Sequence, residues 1–256
     1  MWDAIFQDYF VYLLVFVRMS GMILFNPLFA RRNTPTQFKM GLVLALTLIL
    51  SPTQIGQPTV FDGFRLIEAM SRELFIGFCC GSVFQIFYYM IFFAGDVIDT
   101  QFGLSMAKVF DPGTNIQMSV TGNWFSIIFI VYIFLTDSHL LMIKIFAASY
   151  DIIPLGARDI VFTAAAEFLI KLFADVFVLC IKLALPFIAV EFILEVCMGI
   201  LMKLIPQIHV FVINIQLKLL MGLVLLLLLA APVTDFLQNY MDQMFRNMEK
   251  VMLILV

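Results

Sequence analysis

Apolar residues come in runs of uneven length along this chain, and short polar breaks separate the runs. Residues 74–94 form an uncharged run of 21 residues, which matches the roughly 20 residues that one helix needs to cross a bilayer. Residues 40–50 and 125–135 form runs of only eleven residues each, and eleven helical residues extend over about 17 Å. The pattern therefore predicts helices, several of which are shorter than a full bilayer span.

Charges or helix-breaking residues interrupt the remaining runs. Ser51 and Pro52 are expected to end the run at 40–50, because proline removes a backbone donor and clashes with the preceding turn. Pro186 is expected to kink a long helical stretch at 164–205. The other predicted segments are residues 9–25, 140–153 and 217–231, followed by an amphipathic tail at 236–250.

A polar insert at residues 96–123 separates two apolar halves of the chain. It contains Asp96 and Asp99, three residues apart, which a helix could bring together as paired carboxylates. No second motif accompanies them, so we interpret both as solvated loop residues. The Asp-Pro-Gly sequence at 111–113 favours a turn, since proline presets its own φ and glycine permits a positive φ.

Composition places these helices in a membrane. Of the 256 residues, 63% are hydrophobic and 13% are charged, whereas a soluble domain is about half apolar and a quarter charged. The mean hydropathy is +1.04. The net charge is −3 and no basic patch is present, so nothing indicates nucleic-acid binding. The sequence therefore predicts an all-α membrane protein, in which packed helical hairpins assemble with partner subunits.

Several charged residues lie within the apolar stretches, where an ionisable side chain is costly unless it faces protein or water. Lys171, Asp175 and Lys182 share one side of a helix, within about 40° of each other at 100° per residue. Glu191 and Glu195 are one turn apart, and their repulsion disfavours a position in lipid. We interpret such residues as buried charges or subunit contacts: Arg18, Lys171, Asp175, Lys182, Glu191, Glu195, Lys203 and Lys218.

Two alternatives stay open for these charges. The stripe from Lys171 to Lys182 fits a solvated helix at the membrane edge as well as a face directed at a partner or a pore. Glu191 and Glu195 would also suit a proton relay in a stand-alone transporter. Transporters often contain an internal repeat of similar halves, and the halves of this chain differ in length and charge pattern, which disfavours the relay.

The sequence indicates helix packing but no catalysis. Gly77 and Gly81 form a Gly-x-x-x-Gly motif, which lets two helix backbones approach closely. The four cysteines lie inside apolar runs and are not paired with histidine at metal-ligand spacing. Neither His-Glu-x-x-His nor Gly-x-Ser-x-Gly occurs. We therefore expect neither an enzyme nor a bound cofactor or metal.

Eight short stretches, spread in order over some 200 residues, resemble one known family. They lie at residues 26–29 (NPLF), 72–77 (RELFIG), 101–105 (QFGLS), 110–112 (FDP), 137–141 (DSHLL), 183–186 (LALP), 206–211 (PQIHVF) and 217–222 (LKLLMG). On these residues the chain resembles the FliR/SctT family of type III secretion export-gate membrane proteins. His209 stands where this resemblance leads us to expect asparagine.

The resemblance implies a function and a set of partners. It implies a core component of the flagellar export gate, which forms with FliP-like and FliQ-like subunits the channel that unfolded flagellar subunits enter. FlhB-like and FlhA-like proteins would lie close by, in the bacterial inner membrane at the flagellar basal body. A virulence-type secretion gate is the alternative within the same family.

The resemblance also implies two parts and a plug. Residues 1–163 would be FliP-like and residues 164–256 FliQ-like. A loop within residues 96–123 would close the resting channel. Its plug residues would be Phe110, Asp111, Pro112, Gly113, Thr114, Asn115, Ile116 and Gln117.

Overall fold

The structure is a computed structural model that describes residues 2–29, 34–55, 63–104, 119–157, 160–205 and 210–255. Side chains are described from residue 9 in the first range and from residue 213 in the last. The plug residues 110–117 lie outside the described residues. Within the described ranges the chain forms eight helices: α1 Trp2–Leu24, α2 Thr36–Gln54, α3 Gly63–Gln101, α4 Val120–Leu135, α5 Ser138–Ile152, α6 Phe162–Leu204, α7 Val210–Leu228 and α8 Ala230–Ile254.

The helices are longer than the apolar runs that predicted them. The eleven-residue run at 40–50 lies within the 19 residues of α2, and the run at 125–135 lies within the 16 residues of α4. Both helices extend into polar flanks because the hydrogen bonds of the helical backbone do not depend on apolar side chains. The runs therefore mark only part of each helix, and the prediction that several helices are shorter than a full bilayer span is confirmed, since α4 has 16 residues and α5 has 15.

Pro52 does not end its helix as expected, and the kink expected at Pro186 stays a prediction. α2 continues through Pro52 to Gln54, contrary to the expectation that Ser51 and Pro52 end it. Pro52 lies in the last turn, so it removes only one ladder bond from a helix that is about to stop. Pro186 lies inside α6, which runs as one helix of 43 residues.

Three described helices are long and apolar enough to cross a membrane: α2, α3 and α6. The number rises to five if each of the two bent pairs, α4 with α5 and α7 with α8, counts as one span. This finding supports a helical membrane protein, as the hydropathy predicted.

The chain divides into two compact units that are each assembled from separated segments. Unit 1 consists of Met1–Phe87, Ile133–Phe173 and Asp242–Val256, and unit 2 consists of Tyr88–Tyr132 and Ala174–Met241. Neither unit coincides with the predicted parts 1–163 and 164–256. Those parts were defined by resemblance to other subunits and not by compactness, so that division stays a prediction.

Each unit buries its own apolar core. In unit 1 the fully buried side chains include Leu14, Met19, Met22, Ile23, Phe84 and Phe146. In unit 2 they include Phe102, Phe129, Phe187 and Tyr240. Phe102 meets Phe187 edge-on at a centroid distance of 6.1 Å, and Phe129 meets Tyr240 edge-on at 6.4 Å.

Candidate functional site

A buried arginine organises unit 1. Arg18, on α1, has an exposed fraction of 0%. Its Nε donates to Oε2 of Glu73 on α3 at 2.5 Å. Its Nη1 donates to the backbone carbonyls of Ser149 and Ile153, each at 3.0 Å. The guanidinium also lies over the ring of Tyr150, 4.4 Å from the centroid, a favourable arrangement for a cation and an aromatic face.

Glu73 links the same cluster to the segment after α5. Its Oε1 accepts a hydrogen bond of 2.9 Å from the backbone N–H of Gly156. The carbonyls that Arg18 binds belong to the C-terminal end of α5, where the helix dipole favours positive charge. Arg18 therefore obtains its counter-charge and its carbonyl partners from this chain, and the structure places it among the buried charges.

Gly77 lies on the face of α3 that meets α1. A Cβ added to Gly77 would contact the carbonyl oxygen of Arg18 and would lie 2.9 Å from Cα of Gly21. A Cβ added to Gly81 would lie 2.9 Å from Cβ of Phe25. Such distances leave no room for a side chain, so the glycines permit close contact between the two backbones. The sequence pointed to this motif without indicating which helix it meets.

A second charge cluster lies in unit 2. Lys218 on α7 forms ion pairs with both carboxylates of α6 that were singled out, with Glu191 and with Glu195 Oε1 at 2.6 Å from Nζ. Glu191 is 2% exposed and Glu195 58% exposed. One ammonium group thus offsets the repulsion between two glutamates that are one turn apart.

The other charged residues that were predicted as contacts do not belong to either cluster. Lys171, Asp175, Lys182 and Lys203 are exposed along α6. The structure shows no ion pair between Lys171 and Asp175, although their spacing would allow one.

Asp99 is a site residue that sequence reasoning missed, as is Glu73. Asp99 lies in α3 with an exposed fraction of 0%, so its interpretation as a solvated loop residue was wrong. Its carboxylate accepts hydrogen bonds from Ser119 Oγ at 2.7 Å and from the backbone N–H of Thr121 at 3.2 Å. Ser119 directly precedes Val120, the first residue of α4, and serine at that place is a recognised signal for a helix start. That signal could have suggested an acidic partner nearby.

The described residues contain no group of histidine, cysteine, aspartate or glutamate side chains that could hold a metal ion. The contacts shown by the charge clusters and by Asp99 are hydrogen bonds and ion pairs between helices.

Comparison with known proteins identifies the family. The sequence pattern of the family described as bacterial export proteins, family 1, matches residues 9–244. The chain belongs to this family. The matched region contains both charge clusters and Asp99.

The matches to relatives in the family cover nearly the whole chain. "Flagellar biosynthetic protein FliR" of Bacillus subtilis is 24% identical over 252 residues, which cover 98% of this chain and 97% of the relative. The protein of that name from Caulobacter vibrioides is 29% identical over 227 residues, covering 87% and 89%. "Yop proteins translocation protein T" of Yersinia pestis is 24% identical over 260 residues, covering 99% and 94%. The predicted FliR/SctT membership is confirmed.

Proposed function

We propose that this chain is a core component of the flagellar type III protein export gate. In this role it forms, with FliP-like and FliQ-like subunits, the channel that unfolded flagellar subunits enter. The observation that carries the proposal is the match to bacterial export proteins over residues 9–244. Relatives with the flagellar name, which cover up to 98% of the chain, support the flagellar role.

Exposed charges on an apolar helix support the proposal that partner subunits pack against this chain. Lys171, Asp175 and Glu195 are exposed on α6, among large apolar side chains such as Phe173 and Phe192. A charged side chain at the centre of a bilayer costs about 2.5–3.5 kcal/mol on insertion scales. Polar groups of neighbouring subunits can remove these side chains from lipid. In the proposed complex, FlhB-like and FlhA-like proteins lie close to this chain.

The proposal includes a division of labour within the chain. Residues 1–163 take the place of a FliP-like subunit and residues 164–256 that of a FliQ-like subunit. Residues 110–117 plug the resting channel. Pro112 and Gly113 in this segment favour non-helical backbone. At membrane depth such backbone is tolerated only where protein or water satisfies its hydrogen-bonding groups, which supports a place for the segment inside a channel.

The proposed location is the bacterial inner membrane at the flagellar basal body. Three to five candidate membrane spans support an integral membrane position. The flagellar names of relatives support the basal body as the site of assembly.

A virulence-type export gate is the second candidate. The observation that favours it is the match to the Yersinia translocation protein, which covers 99% of this chain at 24% identity. Its identity equals that of the flagellar protein of Bacillus subtilis. Deleting the gene would separate the two, since loss of flagella with intact secretion of other proteins supports the flagellar gate.

Purification of the tagged chain in mild detergent tests the proposed assembly. We expect FliP-like and FliQ-like subunits to co-purify in fixed ratios, and the complex to survive size-exclusion chromatography. A chain that elutes alone as a stable monodisperse protein from cells that express those subunits contradicts the proposal.

A further inference from the structure

An apolar groove lies in unit 1, between α5 and the C-terminal turns of α8. Its volume is about 280 Å³, slightly below the roughly 300–1,000 Å³ of small-molecule sites. The groove therefore suits one or two apolar side chains better than a whole small molecule. Six of its lining residues are apolar: Leu141, Ile145, Ala148, Ile152, Met252 and Leu253.

Charged side chains lie at the groove and along both helices that form it. Lys144 of α5 and Glu249 of α8 are part of the lining, and both are exposed. Neither forms an ion pair or a hydrogen bond with any residue in the described ranges, so both charges are available to a partner. Four further exposed charges lie on the same sides of the two helices, at 100° per residue: Asp151 on α5, and Asp242, Arg246 and Lys250 on α8.

These charges determine what can cover the groove. Met244, Met248 and Val251, on the other face of α8, are buried inside unit 1, so α8 does not turn its apolar face to a membrane as an interfacial helix does. Lipid tails over the groove would remove the surrounding charged side chains from water, which is costly. An apolar centre with a polar rim is instead the usual arrangement of an interface between proteins.

We propose that the groove between α5 and α8 is a docking site for an amphipathic helix of another protein. This helix places an apolar side chain in the groove, an acidic residue against Lys144 and a basic residue against Glu249. Because the two opposite charges belong to different helices, they fix the orientation of the partner. The site is separate from the exposed charges of α6 on which the proposed subunit contacts rest, and it does not depend on whether the gate is flagellar or virulence-type.

Photocrosslinking of the full chain in cells tests the site. Benzoylphenylalanine replaces Ala148, which lines the groove, and in a matched control it replaces Leu140, an exposed residue of α5 outside the lining. We expect the probe at Ala148 to form an adduct with another polypeptide, at an apolar residue of an amphipathic helix that has an acidic residue within one turn. The probe at Leu140 should give little of this adduct. An adduct with lipid or with a second copy of this chain, or no adduct, overturns the proposal.

Charge reversal tests the chemistry of the partner. Lys144→Glu brings like charges together, so the yield of the adduct should fall about tenfold, and Glu249→Lys should have the same effect. Lys250→Glu is the matched control, because Lys250 is an exposed lysine of α8 outside the lining. Changing the partner's acidic residue to lysine should restore the adduct of Lys144→Glu. Equal yields for Lys144→Glu and Lys250→Glu, or no recovery with the changed partner, overturn the proposal.

Discussion

Nε of Arg18 lies 2.5 Å from Oε2 of Glu73 at the place where α1 meets α3, and neither side chain reaches solvent. One turn further along each helix, Gly21 and Gly77 bring the two backbones into contact. Charge pairing and close backbone packing therefore specify the same crossing of helices. The arginine is therefore a structural element of unit 1, which agrees with one of the two readings of its position in an apolar run, a buried charge or a subunit contact.

Breaking the Arg18–Glu73 pair should be more harmful than replacing both members. Arg18→Met leaves the Glu73 carboxylate buried without its cation, which typically costs about 3–5 kcal/mol. The double variant Arg18→Met, Glu73→Gln removes both charges and should recover part of that loss. Thermal stability of the detergent-solubilised complex measures the difference.

The exposed pair of Arg72 and Glu68 on α3 provides the control for this experiment. Its side chains are 20% and 52% exposed, and such pairs contribute at most about 1 kcal/mol. Arg72→Gln should therefore change stability little. Equal losses for Arg18→Met and Arg72→Gln would show that the buried pair is not a structural element.

Adding one methyl group at Gly77 should separate α1 from α3. Gly77→Ala places a Cβ against the backbone of Arg18 and Gly21, and overpacking of this kind costs about 1–3 kcal/mol. Gly41→Ala is the matched control, because nothing lies within 4 Å of a Cβ there. That variant should be neutral or more stable, since alanine is favoured over glycine in a helix by about 1 kcal/mol. Similar melting temperatures for the two variants contradict the close contact.

Glu191 and Glu195 should respond differently to loss of charge. Glu191→Gln removes a buried partner of Lys218 and should destabilise unit 2 by about 1.5–3 kcal/mol, whereas Glu195→Gln, at an exposed position, should mainly weaken assembly with partner subunits. Blue-native electrophoresis of the complex measures both effects. When Glu191→Gln and Glu195→Gln are combined in one chain, residual export should keep its pH dependence. Loss of that dependence in an intact complex would instead support proton transfer by these residues.

Deletion of residues 110–117 tests the plug directly. The complex should still assemble, because both ends of the segment are held by contacts outside it, through Phe102 and Asp99. Cells carrying the deletion should become permeable to ions and small solutes, as measured by dye uptake and membrane potential. An assembled complex in cells of unchanged permeability rules out a plug in this segment.

The all-α membrane fold could be predicted from the sequence because apolar runs carry the signal directly. Helix lengths could not be predicted as well, since hydropathy marks only the apolar part of a helix. The polar C-terminal end of α3, with Asp96 and Asp99, continues the helix because its backbone hydrogen bonds do not depend on apolar side chains. Burial of a polar residue depends on tertiary neighbours, which one sequence does not contain.

The charge clusters could be predicted only in part from the sequence. Arg18, Glu191, Glu195 and Lys218 stood out because charge is costly in an apolar environment. Their partners are 23 to 135 residues away along the chain, so no local pattern connects them. Glu73 was singled out only within the family resemblance, although it provides the counter-charge of Arg18. Asp99 was misassigned because its acceptor role depends on Ser119, which lies 20 residues later.

Secretion of flagellar subunits into the medium is the most direct test of the account. A strain that lacks this chain should synthesise flagellar hook and filament proteins but fail to export them. Export should return when the intact chain is supplied, and should return only weakly with Arg18→Met, in proportion to the amount of assembled complex. Normal export of flagellar subunits in the strain without this chain would contradict its role in the export gate.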